Sequence, residues 1–91
     1  MISVSLIDYI GKIDEGVAVI LSLLIDDITY EIIYWFTPTN DFRITIEQKF
    51  YDHYPTVKDI YEYEYLIDLL YHIDTEILPP RENIFKEFLE E

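Results

Sequence analysis

The sequence predicts an α+β fold: a small three-stranded antiparallel sheet with helices packed on one face, in the order αβββαα, as a single domain over residues 1–91. Three observations predict it. Two runs of β-branched and aromatic residues flank an Asp26-Asp27 turn, a third run alternates apolar and polar side chains, and two later segments place apolar residues at helical spacing. Apolar residues make up 51% of the chain, enough to build a core and to exclude a disordered segment as its main state.

The elements follow in order. Ser5 and Asp8 form an N-cap pair, and Leu6, Ile10 and Ile13 recur at helical spacing before Gly16, which predicts a short helix over 5–13. Ile2, Val4 and Leu6 also alternate as strand residues do. Val17 to Ile25 is almost free of polar residues and reads as the central strand, buried on both faces. After the Asp-Asp turn, Ile28 to Phe36 completes a hairpin. The turn residues 37–41 lead to a third strand, in which Phe42, Ile44 and Ile46 point one way and Arg43, Thr45 and Glu47 the other. Asp52-His53-Tyr54-Pro55 interrupts regular structure, because a residue before proline is driven out of helical geometry.

A helix then runs from an Asp59 N-cap, with Glu62 as its capping-box partner, to about Ile73. Ile60, Tyr63, Leu66, Ile67, Leu70 and Tyr71 form its apolar arc, and Asp74 would fall on that arc if the helix continued, so the helix is expected to stop before it. Pro79-Pro80 start a last helix with Ile84, Phe85, Phe88 and Leu89 on its apolar side and Glu90-Glu91 trailing into solvent. The order αβββαα is similar to that of some small acidic anti-CRISPR proteins of phages, a likeness of topology without a shared motif.

Charge narrows function further. Nineteen Asp and Glu against six Lys and Arg leave a net charge of −13, which repels phosphate backbones and anionic membrane surfaces alike. Direct nucleic-acid and membrane binding are therefore not expected. Neither a signal-peptide pattern nor a spanning apolar run is present, so the expected compartment is the cytoplasm, a host cytoplasm if the chain is viral. The absence of cysteine excludes disulfides, thiolate metal sites and cysteine nucleophiles, and no cofactor is expected.

Residues 41–49 resemble the metal-binding core of the PD-(D/E)-x-K nucleases: Asp41, then Glu47-Gln48-Lys49. That resemblance implies Asp41 and Glu47 as ligands of a divalent cation and Lys49 as the group positioning the attacking water. The motif's proline directly before the Asp is missing, since Pro38 stands three residues earlier, and the acidic chain would repel the substrate. His72 follows Asp68 by one helical turn, but neither it nor His53 belongs to a His-x-x-x-His pair, so no metal centre is predicted.

Most informative is the run from Asp59 through Tyr65 to His72. On the expected helix, Tyr61, Glu62, Glu64, Tyr65, Asp68 and His72 lie away from the apolar arc, on a face that mixes carboxylates with tyrosines. Glu64 and Asp68 would stand about 5–6 Å apart, comparable with phosphate spacing. The first reading is thus a small acidic, non-enzymatic protein-binding module that inhibits a basic nucleic-acid-handling or host-defence protein by imitating nucleic acid, as phage and mobile-element inhibitors do. Tyr61, Tyr65 and Trp35 would serve as anchors. The alternative is a homodimeric structural or accessory protein whose charge serves only solubility. A metal-dependent nuclease ranks third.

Overall fold

The structure, a computed structural model, describes residues 2–90, so Glu91 of the trailing pair lies outside the described residues. Four antiparallel strands, β1 (Ile2–Ile13), β2 (Gly16–Ile25), β3 (Ile28–Phe36) and β4 (Phe42–Ile46), form one sheet in the order β1-β2-β3-β4. Three short α-helices follow: α1 (Gln48–His53), α2 (Leu66–His72) and α3 (Arg81–Phe88). A 3₁₀ turn at Ile60–Glu62 and a π-type turn at Ile73–Ile77 complete the helical layer. The α+β class holds, while the three-stranded sheet and the order αβββαα do not.

The main correction is at the start of the chain. Residues 5–13, expected as a helix, belong to β1, and the order likened to anti-CRISPR proteins falls with that helix. Register against β2 shifts between Leu6 and Asp8 and between Tyr9 and Gly11, so Ile7 and Ile10 are extra residues on β1. Val4, Leu6 and Tyr9 pack inward. Each bulge lengthens the usual two-residue strand repeat to three, so Leu6 and Tyr9 face inward three residues apart as on a helix, while Ile10 and Ile13, which completed the helical pattern, are exposed. Gly11 supplies the positive φ of 112° at the second bulge, where a side chain would be strained.

The two hairpins to either side of β2 turn within two residues. Asp26 and Asp27 both have positive φ, 49° and 68°, as a type I′ turn requires, and its twist matches that of the strands. The inward rows of the sheet, including Val17, Val19, Leu21 and Leu23 on β2, Tyr30, Ile32, Tyr34 and Phe36 on β3, and Ile44 and Ile46 on β4, are buried with Phe50, Ile60, Leu66, Leu70, Ile73 and Ile84 of the helical layer. Among the described residues no helix covers the opposite rows: Ile33 and Thr45 of β3 and β4 are exposed there, and Ile20 and Leu24 of β2 are half-buried. Trp35 covers part of this open face. Its indole Nε1 donates to the carbonyl of Ile13 at 2.9 Å, and the ring crosses so closely above Gly16 that a Cβ there would lie 2.6 Å from Nε1.

The expected helix from Asp59 is broken. Asp59 does cap it, accepting from the Tyr61 N–H at 2.9 Å, but the chain leaves helical geometry at Tyr63 and resumes only at Leu66. Asp74 lies inside the π-type turn rather than beyond a helix end, and Ile67 and Tyr71, expected in the apolar arc, are 73% and 71% exposed. The last helix starts after Pro80, with Ile84 fully buried and Phe85, Phe88 and Leu89 packed against the core. Among the described residues no helix is long and apolar enough to cross a membrane.

Candidate functional site

The face predicted as one acidic-tyrosine surface is divided by the break at residues 63–65. Tyr61 and Glu62 sit on the 3₁₀ turn beside the edge of the sheet. There the Tyr61 hydroxyl accepts from the Ile44 N–H at 3.1 Å, satisfying a donor on edge strand β4, and its ring packs 6.2 Å from Phe42. Tyr61 is therefore engaged by the fold. The hollow next to it, of about 440 Å³, is lined in part by groups already used in this way: Tyr51 accepts from the Ile60 N–H at 3.0 Å.

Tyr65, Asp68 and His72 come together elsewhere. They line a hollow of about 330 Å³ with Ile2, Ser3 and Val4 of β1, Leu23 of β2, Tyr63 and Leu69. Its floor is apolar, and apart from Ser3 and the Tyr63 hydroxyl its polar groups gather along α2, because Asp68, Leu69 and His72 stand three, four and seven residues after Tyr65 and so share one side of that helix. The Tyr63 and Tyr65 rings stand nearly perpendicular, 73° between planes with centroids 5.8 Å apart. Burial, and then Tyr54, Tyr65 and Glu64 nearby, raise the pKa of the Tyr63 phenol. Glu64 lies between these tyrosines in sequence but is not part of the lining. Sequence periodicity missed Tyr63 as a wall residue, since a continuous helix would place it among the buried side chains.

A second polar cluster escaped the sequence altogether. Arg81 at the start of α3 donates through Nη2 to the Tyr34 hydroxyl at 2.7 Å and to Asp74 Oδ2 at 3.1 Å, while the Tyr34 hydroxyl donates to Asp74 Oδ1 at 3.2 Å. The Arg81 guanidinium also lies 5.0 Å from the centre of the Phe36 ring. Burial first, and the Asp74 carboxylate second, push the Tyr34 phenol up to about 12, against the lowering effect of Arg81. This cluster clamps the π-type turn and α3 to the sheet. The signal for it was present: a carboxylate on an apolar arc needs a partner, and Arg81 is one of only six basic residues.

The nuclease pattern does not assemble. Asp41 precedes β4 and Glu47 follows it, so five strand residues, roughly 3.3 Å each, hold the two carboxylates apart at opposite ends of one strand. Each has local work: the Asp41 carboxylate accepts from the Thr39 hydroxyl at 3.4 Å, and Glu47 accepts from the Glu31 N–H at 2.8 Å while meeting Lys49 at 3.6 Å. His53 pairs through Nδ1 with the buried Tyr30 hydroxyl at 2.8 Å. Among the described residues no three His, Asp or Glu side chains converge as metal ligands. Trp35, expected as an anchor, lies on the open sheet face with Arg43 stacked 5.0 Å from its ring.

Compared with known protein families, curated proteins and solved structures, the chain and its fold find no match.

Proposed function

We propose that the protein is a non-enzymatic acidic interaction module that occupies the nucleic-acid-binding surface of a basic protein. The supporting observation is the distribution of charge. Of the net −13, Glu91 contributes one unit outside the described residues, and the remaining −12 is carried along a body 42 Å long and about 20 Å wide. That is one net charge per about 3.5 Å, against one phosphate per roughly 3.4 Å along each strand of a duplex. The carboxylates reach both ends: Asp26 and Asp27 turn one end of the sheet, while Asp14, Glu15 and Asp41 turn the other. Tyr65, Ile67 and Tyr71, exposed on and beside α2, add aromatic and apolar contacts to the acidic surface.

The test is affinity capture at low salt with and without a competing polyanion, followed by titration of the captured partner at several salt concentrations. The expected result is one basic nucleic-acid-handling protein, displaced by the polyanion, with affinity falling steeply as salt rises. Affinity that is indifferent to salt, or that survives Lys substitution of Glu62, Glu64 and Asp68 together, rejects the reading.

A second reading, a homodimer, is favoured by the open sheet face. Its cross-strand rows, Ser3-Leu24-Thr29, Ser5-Ser22-Glu31, Asp8-Ile20-Ile33-Thr45 and Ala18-Trp35-Arg43, hold two acids and one base. This nearly neutral surface is where two strongly acidic chains meet with least repulsion. Light scattering decides it: a monomer at high micromolar concentration rejects the dimer.

A further inference from the structure

The hollow between β1 and α2 has a composition that selects one kind of occupant. Val4, Leu23 and Leu69 make an apolar floor, Tyr63 and Tyr65 present two nearly perpendicular rings, and Asp68 places a carboxylate on the same wall. At about 330 Å³ it is at the small end of ligand pockets, which run from roughly 300 to 1,000 Å³. A carboxylate beside aromatic faces is repulsive to anions and attracts cations, which gain both a charge-assisted hydrogen bond and cation–π attraction. The apolar floor in turn requires a hydrocarbon stem, which does not suit a bare metal ion, and the lining offers such an ion only the Asp68 carboxylate and the His72 imidazole, fewer than the three protein ligands a metal site needs.

We propose that this hollow receives the side chain of a lysine or arginine projecting from the basic partner, its methylene stem on Val4, Leu23 and Leu69 and its charged end between the tyrosine rings and Asp68. The inference rests on the interaction-module reading and locates the anchor point within it. The molecular surface supports a protein as the source. Ile67 and Tyr71 are exposed on α2 beside Asp68 and His72, so a segment inserting one basic side chain would also cover apolar area outside the hollow.

The probes are the capped amino acids Nα-acetyl-lysine methylamide and Nα-acetyl-arginine methylamide, with the norleucine analogue as an uncharged stem of similar length. Each is titrated into the ¹⁵N-labelled full chain while amide shifts are followed. Saturable shifts confined to Tyr63, Tyr65, Asp68, Leu69 and Val4 are expected with at least one cationic probe, and about tenfold weaker binding of norleucine, the size of one charge-assisted hydrogen bond. Asp68→Asn should remove that advantage and leave norleucine binding unchanged, with the rest of the spectrum showing that the variant is folded. Equal binding of all three probes would overturn the proposal, as would shifts spread over Asp14, Asp26 and Glu82 that persist in Asp68→Asn, or no saturable shift at all. Because the probes need no partner, captured partners with unresponsive probes would refute the anchor alone, while responsive probes without a captured partner would count against the module reading.

Discussion

Single residues decide two tight points of this structure. Gly16 has no room for a side chain: a Cβ would meet the Phe36 carbonyl oxygen and Trp35 Nε1, each at 2.6 Å, and the backbone oxygen cannot turn aside. Gly16→Ala should therefore cost about 1–3 kcal/mol, the usual range for overpacking. It should also shift the emission of the chain's only tryptophan to the red as the indole loses its bond to Ile13, both readable from one urea titration followed by fluorescence. The Tyr34–Asp74–Arg81 cluster is the second point. Arg81→Met leaves Asp74 without its cation, and because both side chains are nearly a third exposed the cost should be about 1–2 kcal/mol rather than that of a fully buried pair. The phenol sets an alkaline limit. A tyrosine whose folded pKa is raised from 10 to about 12 contributes stability that is complete below pH 10 and disappears as pH rises through about 12. Burial also raises the phenol pKa of Tyr9, Tyr30 and Tyr63, so phenolate absorbance should show a late-ionising group of tyrosines, and Tyr34→Phe should take one phenol out of that late step and weaken the alkaline fall in stability. An unchanged titration in the variant would assign the late step to the other tyrosines.

At the scale of elements, the helical layer is made of pieces too short to persist alone and is held by the sheet beneath it. Isolated helices under roughly 12 residues are marginal in water, and α1, α2 and α3 have six, seven and eight. Each inserts buried residues instead: Phe50 from α1, Leu66, Leu69 and Leu70 from α2, and Ile84 from α3. Ile84→Ala should thus destabilise by about 2–4 kcal/mol, typical of a buried large-to-small change, and calorimetry should show one lowered transition rather than early loss of α3 alone. The break before α2 has a functional consequence. Had residues 59–73 formed one helix, Tyr61 and Glu62 would share a face with Asp68; divided, Tyr61 serves β4 and Tyr63 turns into the wall of the hollow. At the opposite wall the regular two-residue alternation from Ile2 to Leu6, ahead of the register shifts, sets Val4 in the lining of the hollow.

The whole molecule is governed by its charge. Six bases cannot neutralise nineteen acids, so self-repulsion weakens the folded state, and the same field draws in a basic partner. Salt should then act with opposite signs on two measurements. Raising NaCl from about 0.1 to about 1 M shortens the screening length from roughly 10 to roughly 3 Å, so the Tm should rise by a few degrees while affinity for the partner falls. A Tm that drops over this range would mean that attractive ion pairs outweigh repulsion. The open sheet face gives a separate test at this scale. Ile33→Glu sits on an exposed position and should leave monomer stability within about 0.5 kcal/mol, yet it would place two extra charges at a dimer interface and abolish any pairing seen by light scattering.

Local chemistry was sufficient to determine the α+β class, the β2–β3 hairpin about Asp26-Asp27, the alternating strand β4, the Asp59 cap, the helix after Pro79-Pro80 and the charge that shapes every functional reading. Each rests on neighbours within a turn or one strand repeat, where side-chain period and turn geometry act directly. Tertiary structure alone decided the rest. A bulge adds one residue to a strand only with respect to its partner, so β1 imitated a helix until β2 was set beside it. Asp74 could lie over the apolar sheet only because Arg81 and Tyr34, seven residues later and forty earlier, meet it there. The hollow likewise exists only where Ile2 to Val4 and Leu23 come against Tyr63 to His72, a meeting of distant segments in which burial and pairing outweigh the local preference of each.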